Sequence, residues 1–309
     1  MNKKLAFYIL KRVILAFVTV IIVITVTFFA MQLIPGGPFT SEKAISDESM
    51  ARLEAKYGLD KPLFIQYLNY LKSAIVFDFG YSIKSRGAVT VTSIIFGGMK
   101  TSAVVGIIAA VIAIIIGIIL GSLAAYKHNT IVDRIIMVMS TASVAVPSFI
   151  ISTIFLYLFC VAWPLFPANG DSWRGFILPT ITLSFSPMAY ITRLTRSSTL
   201  DVLGSDYIRT AYAKGASFSR VLYKHSLRNS LTPVITYAGP MIAFIITGSL
   251  VVEQIFGIPG IGRSFVSSIT SRDYPLVMGL TIFLTYLVII MVLISDILYK
   301  VVNPRVELE

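Results

Sequence analysis

The chain has 309 residues, 56% hydrophobic and 13% charged, with a formal charge of +11. A soluble domain carries about a quarter charged residues, so this composition excludes an ordinary soluble fold. Six stretches free of Asp, Glu, Lys and Arg hold 29, 26, 36, 18, 24 and 22 residues, opening after Arg12, Lys100, Arg134, Arg174, Arg228 and Asp273. A helix needs about 20 apolar residues to cross roughly 30 Å of hydrocarbon. The expected architecture is therefore an all-α polytopic membrane protein, a single domain over 1–309 with six transmembrane helices near 11–33, 101–126, 134–160, 176–195, 230–252 and 277–299.

Met1–Arg12 is basic and amphipathic, suited to an interface. The first apolar core, Val13 to Leu33, is longer than the 7–15 residues of a signal-peptide core and no small-residue cleavage site follows, so a retained helix is expected. Pro35 and Pro38 stop it because neither can donate a backbone hydrogen bond. Residues 39–99 form an insertion too long for a simple connection. Within it, Asp47–Tyr57 has helical spacing, with Ser46 or Asp47 as N-cap and Gly58 as its end. Pro62–Val76 places Leu63, Tyr67, Tyr70 and Leu71 on one face of a second short helix. The dense aromatics Phe64, Tyr67, Tyr70, Phe77, Phe79 and Tyr81 suit an interfacial belt, and part of that layer could instead meet an extracytoplasmic partner.

The second crossing contains Gly117 and Gly121, a small-xxx-small pair that permits close helix approach without naming the neighbour. Pro147 in the third crossing, Pro187 in the fourth and Pro240 in the fifth are each expected to bend their helices. Trp163, Pro164, Pro167 and Trp173 mark a loop at the outer interface. Residues 199–229 then form a basic loop. Ser205 or Asp206 caps a helix running through Lys214 to a stop at Gly215, and Ser217 caps a second helix beginning at Phe218. The first presents Tyr207, Ile208, Ala211 and Tyr212 along one side, the second Phe218, Val221 and Leu222. Such apolar stripes exceed what a topology signal requires and indicate an interface.

Basic residues orient the chain. With both termini in the cytoplasm, the inner segments collect 15 of the 26 Lys and Arg, and six acids accompany the outer basic residues of the 39–99 insertion. The excess positive charge therefore reports topology, and no nucleic-acid partner is needed to explain it.

Several chemistries are set aside on residue grounds. Gly257–Ser264 approaches the phosphate-loop pattern GxxxxGK[ST], but Arg263 replaces the lysine, Pro259 removes an amide donor, and no strand–loop–helix surrounds it. A turn is expected there. A DNA-binding helix-turn-helix at 207–228 is excluded by membrane tethers on both sides. The single Cys160 rules out an intramolecular disulfide, and the two histidines, His128 and His225, lie in different loops, so no metal site is expected. Glu253 and Asp296 fall near helix ends, whereas ion-coupled transport places ionisable groups near mid-membrane. The chain has no visible energy source of its own.

The order and spacing of several motifs resemble those of permease subunits of ABC-type peptide importers of the oligopeptide/dipeptide class, nearly end to end. The motifs are Leu33–Pro38, Gly58–Leu63 with Gln66 and Tyr67, Asp78–Ser82, Asp206–Ala211 with Ala213–Gly215, Glu253–Gly262 and Asp273–Pro275. The resemblance implies the type I importer permease fold in a prokaryotic plasma membrane and no catalysis by this chain. It implies import of oligopeptides by alternating access. Dipeptides, nickel chelates or glutathione are alternative cargoes, and an ion-coupled carrier or channel is the alternative of another class. The implied partners are a second homologous permease subunit, two ATPase subunits carrying ATP and Mg, an extracytoplasmic peptide-binding protein, and membrane lipid. The 199–229 loop resembles the EAA loop whose coupling helix docks on the ATPase, which assigns coupling to Tyr207, Arg209, Thr210, Ala211, Ala213, Lys214, Gly215, Ala216 and Arg220. The family glutamate is absent, and Arg228 stands where a proline often closes the pattern. An extracytoplasmic turn is assigned to Glu253, Gly257, Pro259, Gly260 and Gly262.

Overall fold

The computed structural model describes residues 3–33, 58, 60–85, 88–170, 172–217, 221 and 226–302. The predicted 47–57 helix and the helix expected from Phe218 lie outside them, as does Arg220. Five helices among the described residues are long and apolar enough to cross a membrane, or six spans if one bent pair counts as one. The described residues are helical apart from connections and an isolated bridge between Tyr81 and Thr90.

The chain divides into two compact units, one of Met1–Thr101 and Pro259–Ile290, the other of Ser102–Ile258 and Met291–Glu309. In the first, helix α1 (Lys3–Gln32) turns Val20, Ile24 and Phe28 inward at a spacing of four, while Ile14, Phe17, Ile22 and Val26 stay exposed. Water would penalise that outer stripe, and a bilayer does not. Helix α2 (Leu63–Ile75) lies against α1: the Tyr67 hydroxyl meets Thr25 Oγ1 at 2.8 Å, and Tyr70 stacks on Phe28 with ring centroids 5.8 Å apart. The aromatic layer is therefore divided. Phe64 is exposed as a belt residue should be, but Phe79 is buried and Phe77 packs on Tyr286 at 4.9 Å. Sequence spacing could not separate these fates because the partners lie on distant helices.

Helix α3 (Val91–Tyr126) starts ten residues before the expected crossing, since apolar Ile94, Ile95 and Phe96 already continue the helix outward. Its residues 102–126 belong to the second unit. There Gly117 and Gly121 face α6 (Ile177–Leu203), and this identifies the neighbour that the small-residue spacing left open. A Cβ at Gly121 would stand 2.5 Å from the Thr192 carbonyl oxygen and 2.6 Å from Thr195 Cβ, so only glycine permits the approach.

The third crossing departs from the expected single helix over 134–160. It consists of α4 (Ile131–Ala145) and a second piece, α5 (Ser148–Leu156) continued as a wider turn over Tyr157–Ala162, and the two meet at 97°. Pro147 causes the break. It cannot donate to the preceding turn, and it biases Val146 to the extended conformation observed, ψ 121. Pro187 does not have this effect, and α6 runs through it. The fifth crossing also differs. Helix α9 (Thr232–Ile246) passes through Pro240, and the interruption falls instead at Gly248, before α10 (Leu250–Ile255). Between α6 and α9 lie α7 (Asp206–Ala213) and a single turn, α8 (Leu227–Ser230). The first unit closes with α11 (Ile261–Thr270) and the start of α12 (Tyr274–Val302).

Candidate functional site

Helix α7 is short but sharply bounded. Its C-terminus is closed by the Lys214 N–H to the Thr210 carbonyl at 3.1 Å, the Gly215 N–H to Tyr212 at 2.9 Å and the Ala216 N–H to Ala211 at 3.1 Å. The last two are the paired bonds of a Schellman ending, which needs a left-handed residue, and Gly215 sits there at φ +79. Ser205 holds the N-cap position but does not cap with its side chain, as the sequence suggested it would. Its hydroxyl donates backward to the Val202 carbonyl at 2.6 Å, closing the turn after α6. Asp206 supplies a negative charge to the first turn instead, which the helix dipole favours.

The expected apolar stripe of α7 is split. Ile208 is completely buried and Ala211 half-buried, whereas Tyr207 and Tyr212 are exposed. Arg209, Thr210, Ala213, Lys214 and Gly215 are exposed with them, and Ala216 is half-buried. The Tyr207 hydroxyl accepts from Asn229 Nδ2 at 2.9 Å, tying α7 to the segment that re-enters the membrane. Although Tyr212 is largely exposed, partial desolvation of its phenol raises the pKa above the ordinary value. The Arg209–Asp206 contact at 3.9 Å joins two exposed groups and contributes little. Ile208 anchors the helix, and much of the remaining surface of α7 is exposed.

One support for this region was not read from the sequence. Arg196, seven residues before the end of α6, donates from Nε to Asp133 Oδ1 at 2.6 Å and from Nη2 to Oδ2 at 2.7 Å. Asp133 in the first turn of α4 is buried, and its Oδ2 also accepts the Asn129 N–H at 3.0 Å. His128 Nδ1 lies 3.2 Å from Arg196 Nη2 and 3.5 Å from Asp133 Oδ2. A planar guanidinium held at both carboxylate oxygens fixes orientation as well as distance. The available signal was an acid at the start of an apolar run, opposite an arginine that topology counting had already absorbed.

The turn residues at the other ends of these helices have distinct local roles. In the second unit Glu253 is buried, and Ser102 Oγ donates to its Oε1 at 2.7 Å. Gly248 has φ +84, and a Cβ there would stand 2.7 Å from Glu253 Oε1 and 3.2 Å from Ser102 Oγ, so the carboxylate occupies the space a side chain would need. Ser249 Oγ caps α10 by accepting the Val252 N–H at 3.2 Å. Gly257 closes α10 in a second Schellman ending, through its N–H to Gln254 at 3.4 Å and the Ile258 N–H to Glu253 at 2.9 Å. In the first unit, Gly260 is the N-cap of α11 and lies so near Gly98 that a Cβ there would be 3.0 Å from the Gly260 carbonyl carbon. Pro259 leads into that cap, and Gly262 is buried in its first turn.

The first unit also carries a clamp formed by two motifs the sequence left separate. Buried Asp273 accepts from Ser82 Oγ, from the Ile83 N–H at 3.2 Å, the Lys84 N–H at 3.3 Å and the Leu276 N–H at 3.3 Å. It both caps α12 and holds the 82–84 turn, so a carboxylate is buried with its acceptors used.

Residues 5–117 match the family of binding-protein-dependent transport system membrane components, N-terminal part, and residues 117–308 match the binding-protein-dependent transport system inner membrane component. The chain is 44% identical over 307 residues to the dipeptide transport system permease protein DppB of Bacillus subtilis, covering 98% of this chain and 99% of that protein. It is 42% identical over 305 residues to the oligopeptide transport system permease protein OppB of Haemophilus influenzae, covering 97% and 99%. To the dipeptide transport system permease protein DppB of Lactococcus lactis it is 41% identical over 304 residues, again covering 97% and 99%. A multi-pass chain with these matches along its whole length belongs to the family of binding-protein-dependent transport system inner membrane components.

Proposed function

We propose that this chain is the membrane-spanning permease subunit of an ATP-driven importer of oligopeptides, paired with a second homologous permease subunit. Six crossings with both termini in the cytoplasm put α7 on the cytoplasmic side. Two ATPase subunits bind ATP and Mg, dock on the exposed face of α7, and reorient the pathway by alternating access. A peptide-binding protein delivers cargo from outside, and this chain itself catalyses nothing. The names of the relatives support a peptide cargo, with dipeptides as the alternative that two of them favour.

The observation that carries this reading is the division of α7 between a buried anchor and an exposed face. Ile208 is fully buried while Tyr207, Arg209, Tyr212 and Lys214 are exposed. A solvated connection would not need a capped helix ending in a left-handed glycine. The Asp133–Arg196 pair lets α6 act as a lever, because force applied at α7 reaches α4 through two short hydrogen bonds.

Gly215 provides the test. Nothing lies within 4 Å of a Cβ placed there, so space does not forbid a side chain, but φ +79 does penalise one. A β-branched residue in the left-handed region costs roughly 1–2 kcal/mol, and asparagine much less. Gly215→Val is expected to abolish coupled uptake while leaving membrane insertion intact, and Gly215→Asn to retain most uptake. Full peptide-stimulated ATPase activity and uptake in Gly215→Val would remove α7 as the coupling element.

A further inference from the structure

The first unit contains a half-open cavity of about 330 Å³ between the end of α1, α2, the 78–83 segment and the start of α12. Its size falls at the small end of ordinary ligand sites. The walls combine aromatic rings, Phe28, Tyr70, Phe79 and Tyr274 among them, with the amides of Gln32 and Asn69. Asp78 is the sole formal charge among the described lining residues, which include no Lys, Arg or His. The phenol oxygens of both Tyr70 and Tyr274 are buried and have no hydrogen-bond partner. A buried hydroxyl without a partner is destabilising, so two around one cavity call for a ligand or a reason.

We propose that this cavity receives the primary ammonium end of a peptide. The inference rests on the peptide-importer reading above and adds a recognition site to it. Three features favour a cation with several N–H donors. The one charged residue among the described walls is a carboxylate, aromatic faces attract ammonium groups, and two phenol oxygens buried just behind the cavity surface have acceptor capacity to spare. Burial pushes the Tyr70 phenol pKa up, which keeps it a neutral hydroxyl. Asp78 is exposed at the edge, where its Oδ1 accepts the Gly80 N–H at 3.1 Å. A cation can therefore meet the carboxylate on entry and the rings deeper in. An anionic ligand would meet no positive group among the described lining residues. A primary ammonium is also present on aminophospholipids, and the test separates the two sources.

The full-length chain, co-expressed with the other subunits of its system, is placed in phosphatidylcholine nanodiscs without binding protein. It is titrated calorimetrically with trialanine and N-acetyl-trialanine. Trialanine is expected to bind about tenfold or more tightly than its acetylated form. Tyr70→Phe, Tyr274→Phe and Asp78→Asn should each bring trialanine to the acetylated level without lowering the unfolding temperature. Equal binding of the two peptides overturns the proposal. So does unchanged binding in the variants, and a raised unfolding temperature in the Phe variants would then mark the hydroxyls as simple uncompensated burial. Asp78 is exposed, so its variant remains informative if a tyrosine variant misfolds. Adding phosphatidylethanolamine to the nanodiscs gives the lipid arm. Complete loss of the preference for trialanine over its acetylated form in phosphatidylethanolamine nanodiscs would reassign the cavity to the lipid and overturn the peptide source. ATP-dependent uptake by the wild-type system with its binding protein is read in parallel. Intact uptake without ammonium selectivity sinks the cavity proposal alone, whereas absent uptake sinks the importer reading beneath it.

Discussion

Removing Arg196 should be among the more damaging single changes on the α7 side of the molecule. Arg196→Ala deletes two hydrogen bonds of 2.6 and 2.7 Å and leaves the carboxylate of Asp133 buried, with the Asn129 N–H and nearby His128 as its remaining partners. Breaking a buried ion pair from one side typically costs about 3–5 kcal/mol. The Arg196 side chain is 22% exposed, however, against 4% for Asp133, and water reaching the guanidinium softens the loss. About 2–3 kcal/mol is the expected cost. Asp133→Asn should cost less, because the amide oxygen still accepts the Asn129 N–H and no charge is stranded. Equilibrium unfolding of the purified assembly in nanodiscs reads each cost, and the double variant Asp133→Asn with Arg196→Ala closes a thermodynamic cycle. The coupling energy should exceed about 1 kcal/mol, since residues of one network do not add independently. Losses under about 0.5 kcal/mol for Arg196→Ala, or strict additivity, would refute the claim that the pair joins α4 to α6. A swap of the two charges, if it restored peptide-stimulated ATPase activity, would show that attraction rather than residue identity is required.

Other positions make independent claims. Asp273→Ala strands four donors and should cost about 3 kcal/mol or more, whereas Ser82→Ala should cost about 1–2 kcal/mol, with faster proteolysis of the 78–90 segment as a local readout. Gly121→Leu should lower the yield of folded protein sharply and Gly121→Ala less so, because even a Cβ meets the Thr192 carbonyl oxygen at 2.5 Å. Normal thermal stability of the leucine variant would mean that α3 and α6 do not pack there. Gly248→Ala must displace the Glu253 carboxylate and adopt an unfavourable φ, so about 1–3 kcal/mol should be lost. Glu253→Gln retains an acceptor for Ser102 and should cost less than Glu253→Leu, as thermal unfolding of the two would show.

Patterns confined to one helix were readable from composition, and juxtapositions across helices were not. The charge-free runs located the long apolar helices because hydrocarbon thickness sets one length for all of them. The ending of α7 at Lys214–Gly215 was likewise local chemistry. Three prolines looked equivalent in the sequence, yet Pro147 breaks its span while Pro187 and Pro240 lie inside continuous helices. The effect of a proline depends on whether packing holds the turn before it, and packing is not written in one segment. The fifth interruption lay at Gly248, where a buried carboxylate takes the place of a side chain. Ser82 and Asp273 lie in separate motifs 191 residues apart, and Asp133 and Arg196 are separated by 63. Neither pairing follows from spacing. The exposed side of α7 was legible in outline, but which of its apolar residues the chain consumes for itself required coordinates.

The break at Pro147 bears on how the chain is made. α4 has 15 residues and the piece from Ser148 to Ala162 another 15, each about 22 Å of helix. Neither half is long enough to satisfy a bilayer alone. Both pack against α6, which is synthesised later. The ribosome therefore releases residues 131–162 before the surface that accommodates them exists. The expectation is that the insertion machinery holds that segment at its lateral exit until residues 177–203 emerge. In a nascent chain truncated before Ile177, residues 131–162 should therefore still crosslink to that machinery, although α1 and α3 already anchor the chain.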